Sequence, residues 1–256
     1  MTPSGNEREG RLASRVVQAM FLIALVALWY LATTRWRVSP LLLPNPVAVL
    51  RDFWDILRTG EFIGDLRVTL GELAAAFVIA ASCGVVVGYV ISRSPYRIRV
   101  FEPLFDGIFS VPIILFLPLY VLFFGLGPAS KIALGATIGF FPIALSTIAG
   151  FGYVDKMLVV AARSMGATDV QLFRYVLLPA ALPIILTGMR MGFTIALLSI
   201  IGSETIASLA GLGHRIAYLA EAMEMAPMFA YIAFVVAIAA ILNALVSALE
   251  ARGKRP

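Results

Sequence analysis

Long apolar runs separated by short polar stretches set the pattern of this chain. Six runs are long enough to cross the ~30 Å hydrocarbon layer of a bilayer as helices rising about 1.5 Å per residue: 16–34, 66–92, 101–124, 131–151, 184–207 and 227–249. They are continuous and do not alternate at every second residue, which predicts an all-α integral membrane protein and excludes a barrel of short alternating strands. Residues 16–249 then form one transmembrane domain, flanked by an N-terminal tail (1–15) and a C-terminal tail (250–256). The first run is longer than the apolar core of a usual signal peptide and is followed by further spans, so it is expected to stay as an anchor. Between the first two runs, Pro44 and Pro46 interrupt the chain. Val47, Leu50, Trp54 and Leu57 then fall at helical spacing, predicting a short interfacial helix.

The segment 152–183, between the fourth and fifth runs, has a different pattern. Val154, Met157, Leu158, Ala161, Ala162 and Met165 lie on one face of a short helix. Gly166 suits its C-terminal cap. Thr168 and Gln171 form a T-x-x-Q capping box that opens a second helix. Val170, Phe173 and Leu177 mark the apolar face of that helix, and Pro179 is expected to stop it. A loop that only joins two spans needs no such stripe.

Composition agrees with the pattern: 61% of residues are hydrophobic and 14% charged, with a mean hydropathy of +0.94. A soluble domain of this size would leave large apolar patches in water. The formal charge of +5 is scattered among loops, so it points to membrane topology and not to nucleic acid. With the N-terminus inside, twelve of the 20 Lys and Arg fall on the inner side. Six fall outside: Arg35, Arg37, Arg51, Arg58, Lys131 and Arg215. Both termini are therefore expected in the cytoplasm, with 152–183 on the inner face. One cysteine (Cys83) and one histidine (His214) in separate parts of the chain supply no catalytic constellation and no metal site.

Three stripes of small residues stand out: GVVVG (84–88), GATIG (135–139) and Gly188–Gly192–Ala196. Such stripes let helix backbones approach closely. Five residues of the fifth run are candidates for a polar path: Arg190, Thr194, Ser199, Ser203 and Glu204. Glu204 marks a pathway, gate or ion pair, or simply reaches water at the span end. The hydroxyls line a path or bond back to their own helix. Arg190 snorkels to the inner interface or meets an anionic substrate in a central cavity. Glu72 is expected to pair with Arg67 or lie at the interface. Glu102 and Asp106, four apart beside Arg97 and Arg99, fit inner-surface charge balance. GLGPASK (125–131) lacks the glycine before its lysine and the Ser/Thr after it, so it is no phosphate loop.

Ala161-Ala162, Gly166, Val176 and Leu178-Pro179 together resemble the EAA signature of bacterial ABC importer permeases, with Val160 at the position of the signature's glutamate. LPNPVAVL (43–50), PLYVLFFGLGPASKIALGA (118–136), FFPIALSTIAGF (140–151), LPAALPIILTGMRMGF (178–193) and GLGHRIAY (211–218) are similar to the nitrate/sulfonate/taurine branch of that family. The resemblance implies a six-helix type I importer permease in the bacterial cytoplasmic membrane, surrounded by lipid. It further implies a homodimer of this chain, two ATPase subunits carrying ATP and Mg, and an extracytoplasmic binding protein that delivers a small anion. Its coupling helix would dock on the ATPase through Val160, Ala161, Ala162, Met165, Gly166, Ala167, Phe173, Val176, Leu178 and Pro179. No cofactor is expected on the chain itself. The alternatives are an ion-coupled carrier, which should show internal repetition and mid-membrane ionisable groups, and a membrane-embedded enzyme.

Overall fold

Caps and prolines set the helix ends. The computed structural model describes residues 5–36 and 38–253, and among them every regular element is helical. Residues 1–4 and 254–256 of the expected tails lie outside the described residues, and so does the part of the charge balance that rests on Arg37, Lys254, Arg255 and the side chains of Arg8, Arg11, Arg15 and Arg252. The chain divides into two compact units, residues 1–60 with 218–234 and residues 61–217 with 235–256.

In the first unit, α1 (Gly5–Thr34) carries the first apolar run, and it reaches back through most of the expected 1–15 tail. No residue of its apolar stretch is buried, as suits a helix surrounded by lipid. The Trp29 indole N–H donates to the Pro44 carbonyl (3.0 Å). α2 (Pro46–Thr59) begins where Asn45 accepts from the Val47 amide (2.9 Å), and ends at Gly60, whose positive φ of 69° only glycine adopts without strain. Val47, Leu50 and Trp54, of the expected apolar row, stay exposed on the helix. A second row packs within the unit: Val49 and Ile56 are buried and Phe53 meets Phe234 (ring centroids 6.3 Å).

In the second unit, α3 (Phe62–Ser92) is followed by α4 (Pro95–Phe109), a 3₁₀ turn (Ile113–Phe116) and α5 (Leu117–Phe124). The single span expected over 101–124 is thus broken, with its halves bent by 71°. Pro112 is the cause: it has no amide to donate, and it disfavours helical geometry at Val111. Then come α6 (Pro128–Gly152), α7 (Lys156–Ser164), α8 (Asp169–Leu172), a π turn (Phe173–Leu177) and α9 (Leu178–Ile206). α10 (Leu212–Glu221) and α11 (Met225–Gly253) each contribute to both units. Five helices among the described residues are long and apolar enough to span a membrane, and the bent pair makes a sixth if it crosses as one.

The fifth span also differs from expectation. Helix runs without interruption from Asp169 to Ile206, 38 residues, so Pro179 does not stop it. The π turn ends at Leu178, whose amide bonds Phe173. Pro179 therefore follows directly on the π turn, whose wider bonding register already leaves a carbonyl without a helical amide, so the missing N–H costs little there. The last run likewise continues past 249, making Glu250 part of α11 rather than of a tail.

α3, α6 and α9 form the core, and the small-residue stripes are their contact surfaces. A Cβ at Gly192 would lie 2.7 Å from the Gly139 carbonyl, and one at Gly88 would lie 2.6 Å from that of Ala144. Backbones this close leave room only for hydrogen, and the gain is van der Waals contact between helices. Around them Leu73, Ala76, Ala136, Ala196, Leu197 and Ile200 make one buried cluster.

Candidate functional site

The segment between α6 and α9 is a capped helical hairpin. Asp155 accepts from the Met157 amide (2.8 Å) to open α7. At its end the Gly166 amide bonds Arg163 (2.9 Å) and the Ala167 amide bonds Ala162 (3.0 Å), the paired bonds of a Schellman motif, with Gly166 at φ +79°. Thr168 and Gln171 make the reciprocal capping box, and Arg163 pairs with Asp169 across the turn. Both ends of the turn are capped, which restricts the conformations open to the hairpin.

Its two faces differ. Leu172 is buried and Phe173 stacks on Phe151 (5.9 Å) and meets Tyr89 edge-on (5.4 Å), so the π turn is braced by α6 and α3. Met165 and Val170, beside the turn, are 87% and 74% exposed, and Met157, Val160 and Tyr175 are also exposed. Ala162, Ala167, Val176 and Leu178 are half-buried; Ala161 and Pro179 are exposed. The hairpin thus leaves an apolar stripe exposed, with Met165 and Val170 at its turn. Nearby, the Tyr153 hydroxyl donates to Glu102 (3.0 Å), and that bond with its carboxylate holds the phenol above its usual pKa.

The other end of α9 carries a buried polar network. Glu204, Glu72 and Lys131 are 1%, 3% and 0% exposed. Glu204 accepts from the Thr69 hydroxyl (2.7 Å) and the Gly213 amide (2.8 Å), while Thr69 accepts from the Leu212 amide (2.9 Å). The Gly211 amide reaches Asp65 (3.4 Å). Three consecutive amides that α10 leaves unpaired at its start are thus met by side chains of α3 and α9. Gly211 and Gly213 are needed there, because a Cβ at either would run into Glu204. The Lys131 ammonium bonds the carbonyls of Leu126 and Gly127, and its charge faces Glu72 and Glu204. One carboxyl oxygen of Glu72 has no hydrogen-bond partner.

These contacts revise several expectations. Glu72 lies beside Glu204 and Lys131, not in the expected pairing with Arg67. Glu204 does not reach water at the span end; the turn 207–211 folds back over it. Ser203 is buried and bonds back to Ile200 (2.9 Å), and Ser199 is buried. Thr194 bonds back to Arg190 (3.0 Å). Arg190 pairs with Glu250 (3.4 Å) and approaches Asn243 (3.5 Å). Of the five path candidates, only Arg190 and Thr194 keep partial exposure in the single chain. Sequence reading missed Lys131 and Thr69. Lys131 was counted as an outer-loop cation, although two carboxylates placed in apolar runs, Glu72 and Glu204, already called for a buried cation.

The structure thus places an exposed, capped hairpin between two long apolar helices, on a core of glycine-packed helices of a membrane protein. Comparison with known proteins gives the class. Residues 73–255 match the family described as binding-protein-dependent transport system inner membrane component, and the chain belongs to that family. It is 33% identical over 236 residues to the taurine transport system permease protein TauC of Escherichia coli K12, covering 90% of this chain and 86% of that protein. It is 29% identical over 246 residues to the putative aliphatic sulfonates transport permease protein SsuC of Bacillus subtilis 168, covering 96% and 88%. Among solved structures it is similar to an amino acid ABC transporter (TM-score 0.62, 22% identity, 79% of this chain and 97% of that one). It is also similar to the inward-facing MetNI methionine ABC transporter (TM-score 0.57, 21% identity, 82% and 98%). The fold is that of a type I ABC importer permease. These relatives are permease subunits, and family membership sets aside the ion-coupled carrier and the membrane enzyme.

Proposed function

We propose that this chain is the permease subunit of an ATP-driven importer for a small sulfonate such as taurine. In this reading an extracytoplasmic binding protein delivers the solute, two copies of this chain form the path, and two separate ATPase subunits bind ATP and Mg on the cytoplasmic side. The chain lies in the bacterial inner membrane with both termini in the cytoplasm. The substrate class rests on the taurine and sulfonate permeases it resembles, and the orientation on the distribution of Lys and Arg.

The observation that carries the reading is the open apolar stripe on the capped hairpin. Val160, Ala161, Ala162, Met165, Gly166, Ala167, Phe173, Val176, Leu178 and Pro179 act as the ATPase-docking segment. The exposed members touch the partner; Gly166 and Phe173 fix the hairpin's shape and its attachment. With Val160 in place of an acidic residue, the grip is apolar at that point. ATP-driven closure of the two ATPases then moves rigid helices, because neither capped turn absorbs the motion. Along the path, Arg190 and Thr194 are the polar groups of α9 that a passing anion meets.

Affinity purification of the tagged chain from native membranes tests this reading. The normal chain should bring down an ATPase subunit. Gly166→Arg, forced into a left-handed conformation that costs about 1–2 kcal/mol for a side-chain-bearing residue, should lose it. Met165→Asp should lose it too, while keeping the melting temperature of the normal chain, because Met165 touches almost nothing within its own chain. Full ATPase recovery with Met165→Asp would remove the hairpin from the docking surface.

A further inference from the structure

The network at Glu204 and the hairpin at Gly166 sit at opposite ends of one helix. From Asp169 to Ile206 the helix is unbroken over 38 residues, about 57 Å at the usual rise. Its irregularities lie near the hairpin: the π turn, which is not free to hinge because Phe173 packs against both Phe151 and Tyr89, and Pro183, which donates no helical amide and lies between the buried Ala181 and Ile185. Its middle is held by backbone contacts at Gly188 and Gly192. Its far end grips the turn 207–211 through Glu204, and Thr69 ties the same turn to α3.

We propose that α8–α9 is a rigid lever and that Thr69 and Glu204 are positioning residues that make the turn 207–211 and the start of α10 follow it. The proposal rests on the docking role of the hairpin. Motion imposed on the hairpin by the ATPase then reaches the outer face, where Leu209 in the turn and Ile206 just before it are exposed. Thr69 is the joint. Its hydroxyl donates to Glu204 and accepts from Leu212, so it joins α3, α9 and α10 through a single oxygen atom. Neither residue touches the solute; both act by keeping the outer turn attached to the moving core.

The test uses the assembled transporter in lipid nanodiscs with Thr69→Val, which removes the hydroxyl at nearly constant volume, and Thr69→Ser, which keeps it. Thr69→Val should retain the ATPase subunit and its basal ATP turnover. It should lose about tenfold in the stimulation of that turnover by binding protein loaded with taurine, a size usual for coupling between distant sites. Thr69→Ser should restore the stimulation. In the permease without partners, hydrogen exchange at the amides of 211–213 should be faster in Thr69→Val than in the normal chain. Unchanged exchange would overturn the tether, and unchanged stimulation would overturn the lever even with docking intact. Loss of the ATPase subunit from Thr69→Val would make the network merely structural and also overturn the proposal. A normal chain that recovers no ATPase would instead refute the docking reading, and the lever with it.

Discussion

Gly88→Val prevents the chain from reaching a stable folded state in the membrane. A Cβ at Gly88 would stand 2.6 Å from both the Ala144 carbonyl oxygen and the Thr147 Cβ. The first of these is backbone and cannot swing aside, so α3 and α6 must separate, and the contacts of Gly84 with Ile143 and Phe140 open with them. Overpacking of this kind costs about 3 kcal/mol or more, because relief requires moving a whole helix. The measurement is the yield of monodisperse chain in mild detergent, together with its thermal midpoint. Gly71→Ala is the matched control, since a Cβ there meets nothing within 4 Å, and its effect should stay within about 0.5 kcal/mol. Equal midpoints for Gly88→Val and the normal chain would mean that α3 and α6 do not pack as described.

Lys131→Met has the second large effect. Lys131 is fully buried, with Glu72 and Glu204 as its charged neighbours. Without it the two buried carboxyl groups have lost the cation whose charge acts on them, and leaving buried charge uncompensated costs about 3–5 kcal/mol. Adding Glu72→Gln should recover most of the loss. Glu204 would then be the only carboxylate of the three-residue set, and it already has two donors, the Thr69 hydroxyl and the Gly213 amide. Thermal midpoints of the single and double variants decide the matter. A double variant no more stable than Lys131→Met would show that the lysine acts only through the carbonyls of Leu126 and Gly127.

The parts of this protein legible in its sequence are those governed by local rules. The apolar runs mark helices because a bilayer offers no water to unpaired backbone groups. Gly166, Thr168 and Gln171 foretell their turn because capping depends on neighbours within five residues. The glycine stripes foretell close packing, because small side chains at every fourth position line one face of a helix. The reading failed where two local rules competed. Pro112 broke an apolar run of sufficient length, and Pro179, a breaker in isolation, was accommodated after a π turn.

From its sequence alone this chain is an all-helical membrane protein with a rigid amphipathic hairpin between two spans, because hydropathy, capping and small-residue spacing are properties of adjacent residues. The partners of Glu204, Lys131, Thr69 and Arg190 were decided only by tertiary structure. A buried charge takes whichever partner the packing of distant helices brings within reach: Thr69 and Glu204 are 135 residues apart, and Arg190 and Glu250 are 60. Along the chain Glu72 lies nearest Arg67, but in the folded bundle it faces Lys131 and Glu204.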